Sequence, residues 1–567
     1  MTRLPLWVWI AAMVGIPLAA SFVPGWPVHG YGHVLLALPL LLAYRRPERR
    51  RRLLLYGAGI VLQFLAYPDL DLGFLGWVLL WPYLLAREEG DGAPWMRAAF
   101  LYGFLRAFAG FYWLGNVHYT GWLGVSLASG FAFVFAFEWP LRRLTFFPYA
   151  LRVASSWLLF EGVHSWLLGG LPWLLLAHTQ HGFLTLVQMA DVVGTFGVSL
   201  LVAFVQAAGL EAIRARRFTP ALGIAAALLL CALAYGAMRR GPGGADGPEV
   251  LMVQTAFPSY AKEEKLAKPK GTAELWQALT RLTREGLESH PDAALVVWPE
   301  TMFPAAYLES EPSRGDFKWR AAAFARMFHL PAVFGLTSFA NLKRLDRGYN
   351  AAILVGADGT VKDPAKDLYR KQRLVPMSEE FLPRRVLPES WCDALFAWLS
   401  RNLGLPRGSD LDEGKGFATL DAGPGLRCAT LICFEGLYPD LVRAAVEYEQ
   451  PDLLLHLVNN GWFLSPPFLG GRVPSFEQRQ CVPIWVFRAI EMRTPFFSCA
   501  NGGITCAVAP DGRVLGRVDR VMEEGWLAAR IPPRWPRPPF LRGGFLLPPA
   551  LLLLLVPVFL WRARRKA

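Results

Sequence analysis

The chain has 567 residues, more than one hydrophobic core usually serves, so at ~150 residues per unit two to four structural units are expected. Hydrophobic residues make up 54% and charged residues only 18%, which excludes a disordered chain and argues against a wholly soluble enzyme. The excess of 58 Lys+Arg over 45 Asp+Glu lies in short Arg clusters beside apolar runs, a pattern of membrane orientation rather than of nucleic-acid binding, and no nucleic-acid partner is expected.

A spanning helix needs ~20 mostly apolar residues. The first half of the chain is nearly a succession of such stretches, at about 5–23, 30–44, 53–67, 72–87, 97–115, 121–139, 147–167, 184–209 and 219–237. If all of them span, the clusters Arg45–Arg52, Arg142-Arg143 and Arg214–Arg217 fall on one side, which the charge bias makes the cytoplasm. Residue 238 then emerges on the outer face, against the mild counter-signal of Arg239 and Arg240. Arg3, an apolar run and Ala19-Ala20-Ser21 also have the order of a cleaved signal peptide. Retaining the segment keeps the Arg clusters on one side, so residues 1–44 are read as an extra transmembrane hairpin and 45–238 as a helical membrane domain.

The linker GPGGADGP at 241–248 opens a change to alternating short strands and helices. Strands are expected at Val250–Gln254, Ala294–Trp298, Pro331–Thr337, Asn350–Val355, Leu426–Cys433, Leu453–Val458, Phe496–Ala500 and Thr505–Ala509. Helices are expected near 273–289, where Leu275, Leu279 and Leu282 recur at helical spacing, and near 315–328. Asp358-Gly359 and Asp511-Gly512 signal hairpin turns. This α/β domain, 239–543, is followed by an apolar segment and basic tail at 544–567, which return the chain to the cytoplasm. The domain is therefore expected outside the cytoplasm, held by membrane anchors at both ends.

The seven cysteines show no CxxC pair, so no metal site is expected, and their odd number cannot all pair within one chain. Cys433 ends an apolar strand just before a helix, a position where backbone N–H groups can stabilise the thiolate that attacks a carbonyl carbon. Taken alone, a strand cysteine is more often a small buried hydrophobe. Glu300 follows Pro299 at the end of a strand, where a general base could stand, although a solvated loop carboxylate is the commoner case. Lys371, in YRKQRLVPMSEEF, offers an ammonium to a developing oxyanion, although most lysines are merely solvated.

Glu300, Lys371 and Cys433, in that order at strand ends, resemble the Glu-Lys-Cys triad of the nitrilase superfamily. VVWPET, GYNAAILV, LYRKQRLVPMSEEFLP, ICFE, NNGWF, RAIEMRTP, NGGIT and PDGRV narrow the resemblance to the apolipoprotein N-acyltransferase family. FYWLGNVHY, GLPWLLLAHTQ and QMADVVGTFGVSLLV extend it into the membrane half, so that it covers roughly 52–565. The resemblance implies a polytopic helical membrane domain joined to an extracytoplasmic α-β-β-α sandwich, in the bacterial inner membrane with the sandwich on the periplasmic face. It implies an enzyme that moves a fatty acyl chain from a phospholipid to the N-terminal amine of the diacylglyceryl-cysteine of apolipoproteins through a cysteine thioester, with no cofactor, as a monomer.

By motif match Cys433 is the nucleophile, Glu300 the base and Lys371 the oxyanion stabiliser. Glu379 and Glu435 match supporting acidic positions, with a purely structural hydrogen-bonding role as the alternative. Trp173 and Trp462 match aromatic positions along the lipid path, with a membrane-interface role equally open. The chain departs from the family pattern at Gln254-Thr255-Ala256-Phe257 and between Trp462 and Arg488. A membrane-tethered amidase that passes the acyl group to water, and a binding scaffold that has lost catalysis, are the competing readings.

Overall fold

The computed structural model describes residues 47–546 apart from 69, 88–94, 118, 167–168, 240, 242–243, 245, 260–268, 312–314, 342–346, 364, 377, 382, 384–386, 404–410, 465–474 and 534. The expected hairpin at 1–44, and all but the first residues of the expected C-terminal span and tail at 544–567, lie outside the described residues. The chain divides into two compact units. One comprises the residues up to Met238 together with Phe463–Pro483 and those from Gly543 on, and the other comprises Arg239–Trp462 and Ile484–Arg542.

The first unit is helical, with α1 Pro47–Ala66, α2 Trp95–Gly110, α3 Tyr119–Ala132, α4 Tyr149–Trp166, α5 Ala190–Ala215 and α6 Pro220–Met238. α3 continues through a π-helical turn, Phe133–Glu138, to Arg143. Among the described residues, Tyr119–Arg143, Ala190–Ala215 and Pro220–Met238 are long and apolar enough to cross a membrane. The stretch 72–87, expected as one span, forms instead a 3₁₀ turn, Gly73–Trp77, and a short helix, Trp81–Ala86. Gly73 and Gly76 lie so close to Thr179 that a Cβ on either would collide with it, and Pro82 restarts the helix at its first turn.

Phe463–Pro483, read from the sequence as part of a continuous 239–543 domain, groups with the helical unit. Gln480 Oε1 accepts the indole N–H of both Trp173, at 2.8 Å, and Trp113, at 3.2 Å. The Tyr112 hydroxyl accepts the Phe476 N–H, and the Phe476 ring packs edge-on against Phe64.

The second unit is built on two sheets. Its strands are β1 Glu249–Gln254, β2 Ala293–Trp298, β3 Tyr307–Leu308, β4 Ala332–Phe339, β5 Tyr349–Val355, β6 Leu368–Arg370, β7 Thr419–Asp421, β8 Arg427–Ile432, β9 Leu453–Asn459, β10 Phe496–Asn501, β11 Thr505–Val508, β12 Val514–Val518 and β13 Gly525–Arg530. One sheet runs β13-β1-β2-β4-β5-β6 with β3 beside β4, and the other runs β12-β11-β10-β9-β8-β7. Side chains on a strand alternate between faces, and β1 uses both of its faces. Val250 and Met252 enter a core with Leu455, Leu457, Phe497 and Cys499 of the second sheet. Leu251 and Val253 face the opposite way, into a core with Leu275, Leu279 and Leu282 of α7 Pro269–Ser289 and Phe317 and Phe324 of α8 Asp316–Phe328. Both faces of the first sheet are thereby covered, which explains why its strands read as continuous apolar runs. α9, Pro439–Glu449, buries Val442, Ala445 and Val446.

The two expected hairpin turns form, with Gly359 at φ 81° and Gly512 at φ 83°, backbone that favours glycine. All seven cysteines are free thiols.

Candidate active site

Three strand ends of the second unit supply the expected catalytic residues. β8 stops at Ile432, and Cys433 takes φ 52°, a left-handed conformation unfavourable for a side-chain-bearing residue, before a 3₁₀ turn, Cys433–Leu437, leads to α9. Such a conformation persists only where its surroundings hold it, and Glu435 is one of the groups that does so. Glu435 is fully buried. One carboxylate oxygen accepts the Ile432 N–H at 2.7 Å, and the other accepts the N–H groups of Gln372, at 2.6 Å, and Arg373, at 3.1 Å. The Tyr369 hydroxyl donates to the same carboxylate at 2.8 Å. Burial pushes the Glu435 carboxyl up to about 7, against the opposing pull of these donors and Lys371.

Glu300 follows β2, with Thr301 at φ 51° turning the chain immediately after it. Its backbone lies against Gly335 of β4, where a Cβ would meet Glu300 Cα at 2.7 Å. Asn350 Nδ2 donates to Glu300 Oε1 at 2.7 Å, and the Asn459 N–H donates to Oε2 at 2.7 Å. Burial raises the Glu300 carboxyl above the usual carboxylate range and Glu379 adds to the rise, while the Lys371 charge acts against it.

Lys371 follows β6, its N–H bonded to Asn350 O and its carbonyl to the Gly414 N–H, each at 2.8 Å. The fully buried ammonium lies 2.8 Å from Glu379 Oε2 and 3.7 Å from Glu300 Oε1. Burial acts to lower its pKa, but the negative charges of Glu379, Cys433 and Glu300 outweigh burial and hold it well above the ordinary lysine value. Glu379 is oriented by the Val375 N–H at 2.9 Å and by Asn350 Nδ2 at 3.2 Å. Glu300, Lys371 and Glu379 thus form one buried charge cluster, and the Cys433 elbow is within its electrostatic reach.

Sequence reasoning overlooked the asparagines. Asn350 bridges Glu300 and Glu379, and Asn459 presents its N–H to Glu300 while its side-chain oxygen accepts from Asn501 Nδ2 at 2.7 Å and Ser259 Oγ at 2.9 Å. Both lie in motifs visible in the sequence, GYNAAILV and NNGWF, but amides are uncharged and drew no attention there. Trp173 is buried in the helical unit, whereas Trp462 belongs to the sandwich unit and is 42% exposed. Among the described residues no His, Cys, Asp and Glu group is arranged to hold a metal ion.

Residues 58–208 match the apolipoprotein N-acyltransferase N-terminal domain, and residues 253–534 match the carbon-nitrogen hydrolase domain. The apolipoprotein N-acyltransferase of Geobacter metallireducens is 29% identical over 489 residues, covering 82% of this chain and 87% of that protein. The Brucella suis protein of the same name is 27% identical over 537 residues, covering 88% and 94%. The chain belongs to the apolipoprotein N-acyltransferase family. An amidase from Nesterenkonia is among the similar solved structures, 17% identical, covering 51% of this chain and 92% of its own, with a TM-score of 0.33. In this family member Glu300, Lys371, Glu379, Cys433 and Glu435 all fall inside the carbon-nitrogen hydrolase match, and Trp173 inside the N-terminal match.

Proposed function

We propose that this chain transfers a fatty acyl group from a membrane phospholipid to the N-terminal amine of the diacylglyceryl-cysteine of apolipoproteins, by way of a thioester on Cys433. The observation that carries this reading is the presence in one chain, and in family order, of both the apolipoprotein N-acyltransferase N-terminal domain and a carbon-nitrogen hydrolase domain.

Glu300 takes the Cys433 thiol proton, and the sulfur forms a bond to the phospholipid ester carbon. Lys371 holds the tetrahedral oxyanion, because a fixed cation in a buried site stabilises developing charge without reorganising. The ester C–O bond then breaks, and the proton on Glu300 passes to the departing lysophospholipid alcohol. In the second half the apolipoprotein amine attacks the thioester, gives its proton to Glu300, and the C–S bond breaks to return the Cys433 thiol. Glu379 pairs with the ammonium, Glu435 holds the elbow, and Trp173 in the helical unit and Trp462 in the sandwich unit each bind lipid substrate. Side chains carry every proton in this scheme, so it calls for no cofactor.

The protein is read as a monomer of the bacterial inner membrane. Its helical unit makes several passes and its sandwich unit lies on the periplasmic face, as the positions of the Arg clusters suggest.

The test uses the full-length protein with phospholipid labelled in the acyl chain. Wild type acquires a hydroxylamine-sensitive label, Cys433→Ala does not, and a diacylglyceryl-cysteinyl peptide chases the label onto its amine. Labelling of Cys433→Ala would overturn the nucleophile. Release of free fatty acid with an unmodified peptide would replace acyl transfer by hydrolysis.

A further inference from the structure

Directly beneath the Cys433 elbow lies a histidine that the scheme above leaves unused. His456 stands in the middle of β9, in register with Leu431 of β8 on one side and Ser498 of β10 on the other. It is 3% exposed, and its ring packs near Trp485 and Phe496. Nε2 is 2.8 Å from the carbonyl oxygen of Cys433, and Nδ1 is 2.9 Å from Ser498 Oγ. A carbonyl oxygen can only accept, so Nε2 carries the proton and donates it. Nδ1 is then left as the acceptor for the Ser498 hydroxyl. Burial pushes the imidazole down to about 4, so near neutrality it is uncharged and holds this single tautomer. Gly436 leaves room for the ring, since a Cβ there would stand 3.0 Å from Nε2.

We propose that His456 is a positioning residue for acyl transfer, donating to the Cys433 carbonyl so that the left-handed elbow is held and the Cys433–Phe434 peptide is polarised. This rests on the reading of Cys433 as nucleophile. The left-handed turn at Cys433 is unfavourable by itself, and a donor fixed from β9 resists its relaxation. A hydrogen bond accepted by a peptide carbonyl also strengthens the N–H at the other end of that peptide. That N–H belongs to Phe434, within the first turn of the 3₁₀ segment, where N–H groups have no partner inside the turn. It stands beside the nucleophile and is therefore placed to share the oxyanion with Lys371. Ser498 sets the tautomer and acts one step further away.

The experiment compares His456→Leu, which keeps the bulk without a donor, with His456→Gln, which restores an N–H donor. Acyl-enzyme formation from labelled phospholipid is followed per folded molecule of full-length protein, with kcat and KM measured separately. His456→Leu should lower the acylation rate about tenfold or more, the size expected for losing one hydrogen bond, with KM little changed. His456→Gln should recover most of the rate. A wild-type rate in His456→Leu, or equal loss in both variants, overturns the proposal. Should His456→Leu fail to fold, Ser498→Ala decides, because the proposal requires a slower acylation step there and an unchanged rate overturns it. Cys433→Ala in the same assay keeps the two readings apart: its labelling would remove the nucleophile itself, whatever the histidine variants do.

Discussion

The Lys371 ammonium lies 2.8 Å from Glu379 Oε2 in a site where the lysine is fully buried. Glu300 is farther from the ammonium, at 3.7 Å. Glu379 therefore carries the close ion pair, and Glu300 keeps a carboxyl whose proton affinity burial and the Glu379 charge both raise. Replacing Glu379 by Gln removes that raising charge. The acid limb of the kcat/KM profile should move to lower pH and kcat should fall, both read from pH–rate profiles of wild type and Glu379→Gln. A limb that stays in place would show that Glu379 does not tune Glu300.

Lys371→Met should lower acyl-enzyme formation by about 10²–10³, the usual effect of deleting an oxyanion donor. Single-turnover labelling with phospholipid measures it. A loss confined to KM would assign the lysine to binding instead.

Glu435 makes stability pH-dependent in a direction opposite to that of most carboxylates. Burial raises its folded-state value from the ordinary carboxylate range to about 7, so the folded state binds the proton more tightly than the unfolded chain does. Its contribution is fully present below about pH 4.5 and is lost as pH rises through 7, a change on the order of 3 kcal/mol. Thermal midpoints of wild type should fall across that window, and Glu435→Gln should show a shallower slope from a lower starting point. Equal slopes would mean that the carboxylate stays ionised beneath its four donors.

Gly335→Ala tests how closely β4 must approach the strand end that carries Glu300. The added methyl would press on Pro299 O and on Glu300 Cα, and overpacking of this kind costs about 1–3 kcal/mol. Both the thermal midpoint and the acylation rate should drop, because the displaced backbone carries Glu300, the proposed base. Retained activity with lowered stability would separate Gly335 from the placement of Glu300.

The proposed orientation is open to site-resolved thiol labelling of intact spheroplasts. An impermeant reagent should modify Gly244→Cys and leave Ala567→Cys unmodified, with mass spectrometry reporting each site. The reverse pattern would turn the membrane topology over.

The amino-acid sequence by itself determined where the long, buried strands of the sandwich lie, but not its short or exposed ones, because strands buried on both faces need unbroken apolar runs. Ala294–Trp298 was expected and Ala293–Trp298 is observed, and Leu453–Val458 extends only to Asn459. It also showed that Glu300, Lys371 and Cys433 stand at strand ends. β13 was not legible, since its pairing with β1 joins Trp526 to Val253 from distant parts of the chain. Only the tertiary structure revealed Asn350 between two carboxylates, His456 under the Cys433 carbonyl, and the break in the 72–87 stretch where Gly73 and Gly76 meet Thr179. The division follows from the physics: apolar periodicity is local and written along the chain, whereas hydrogen-bond partners and steric approach exist only once distant segments have been packed together.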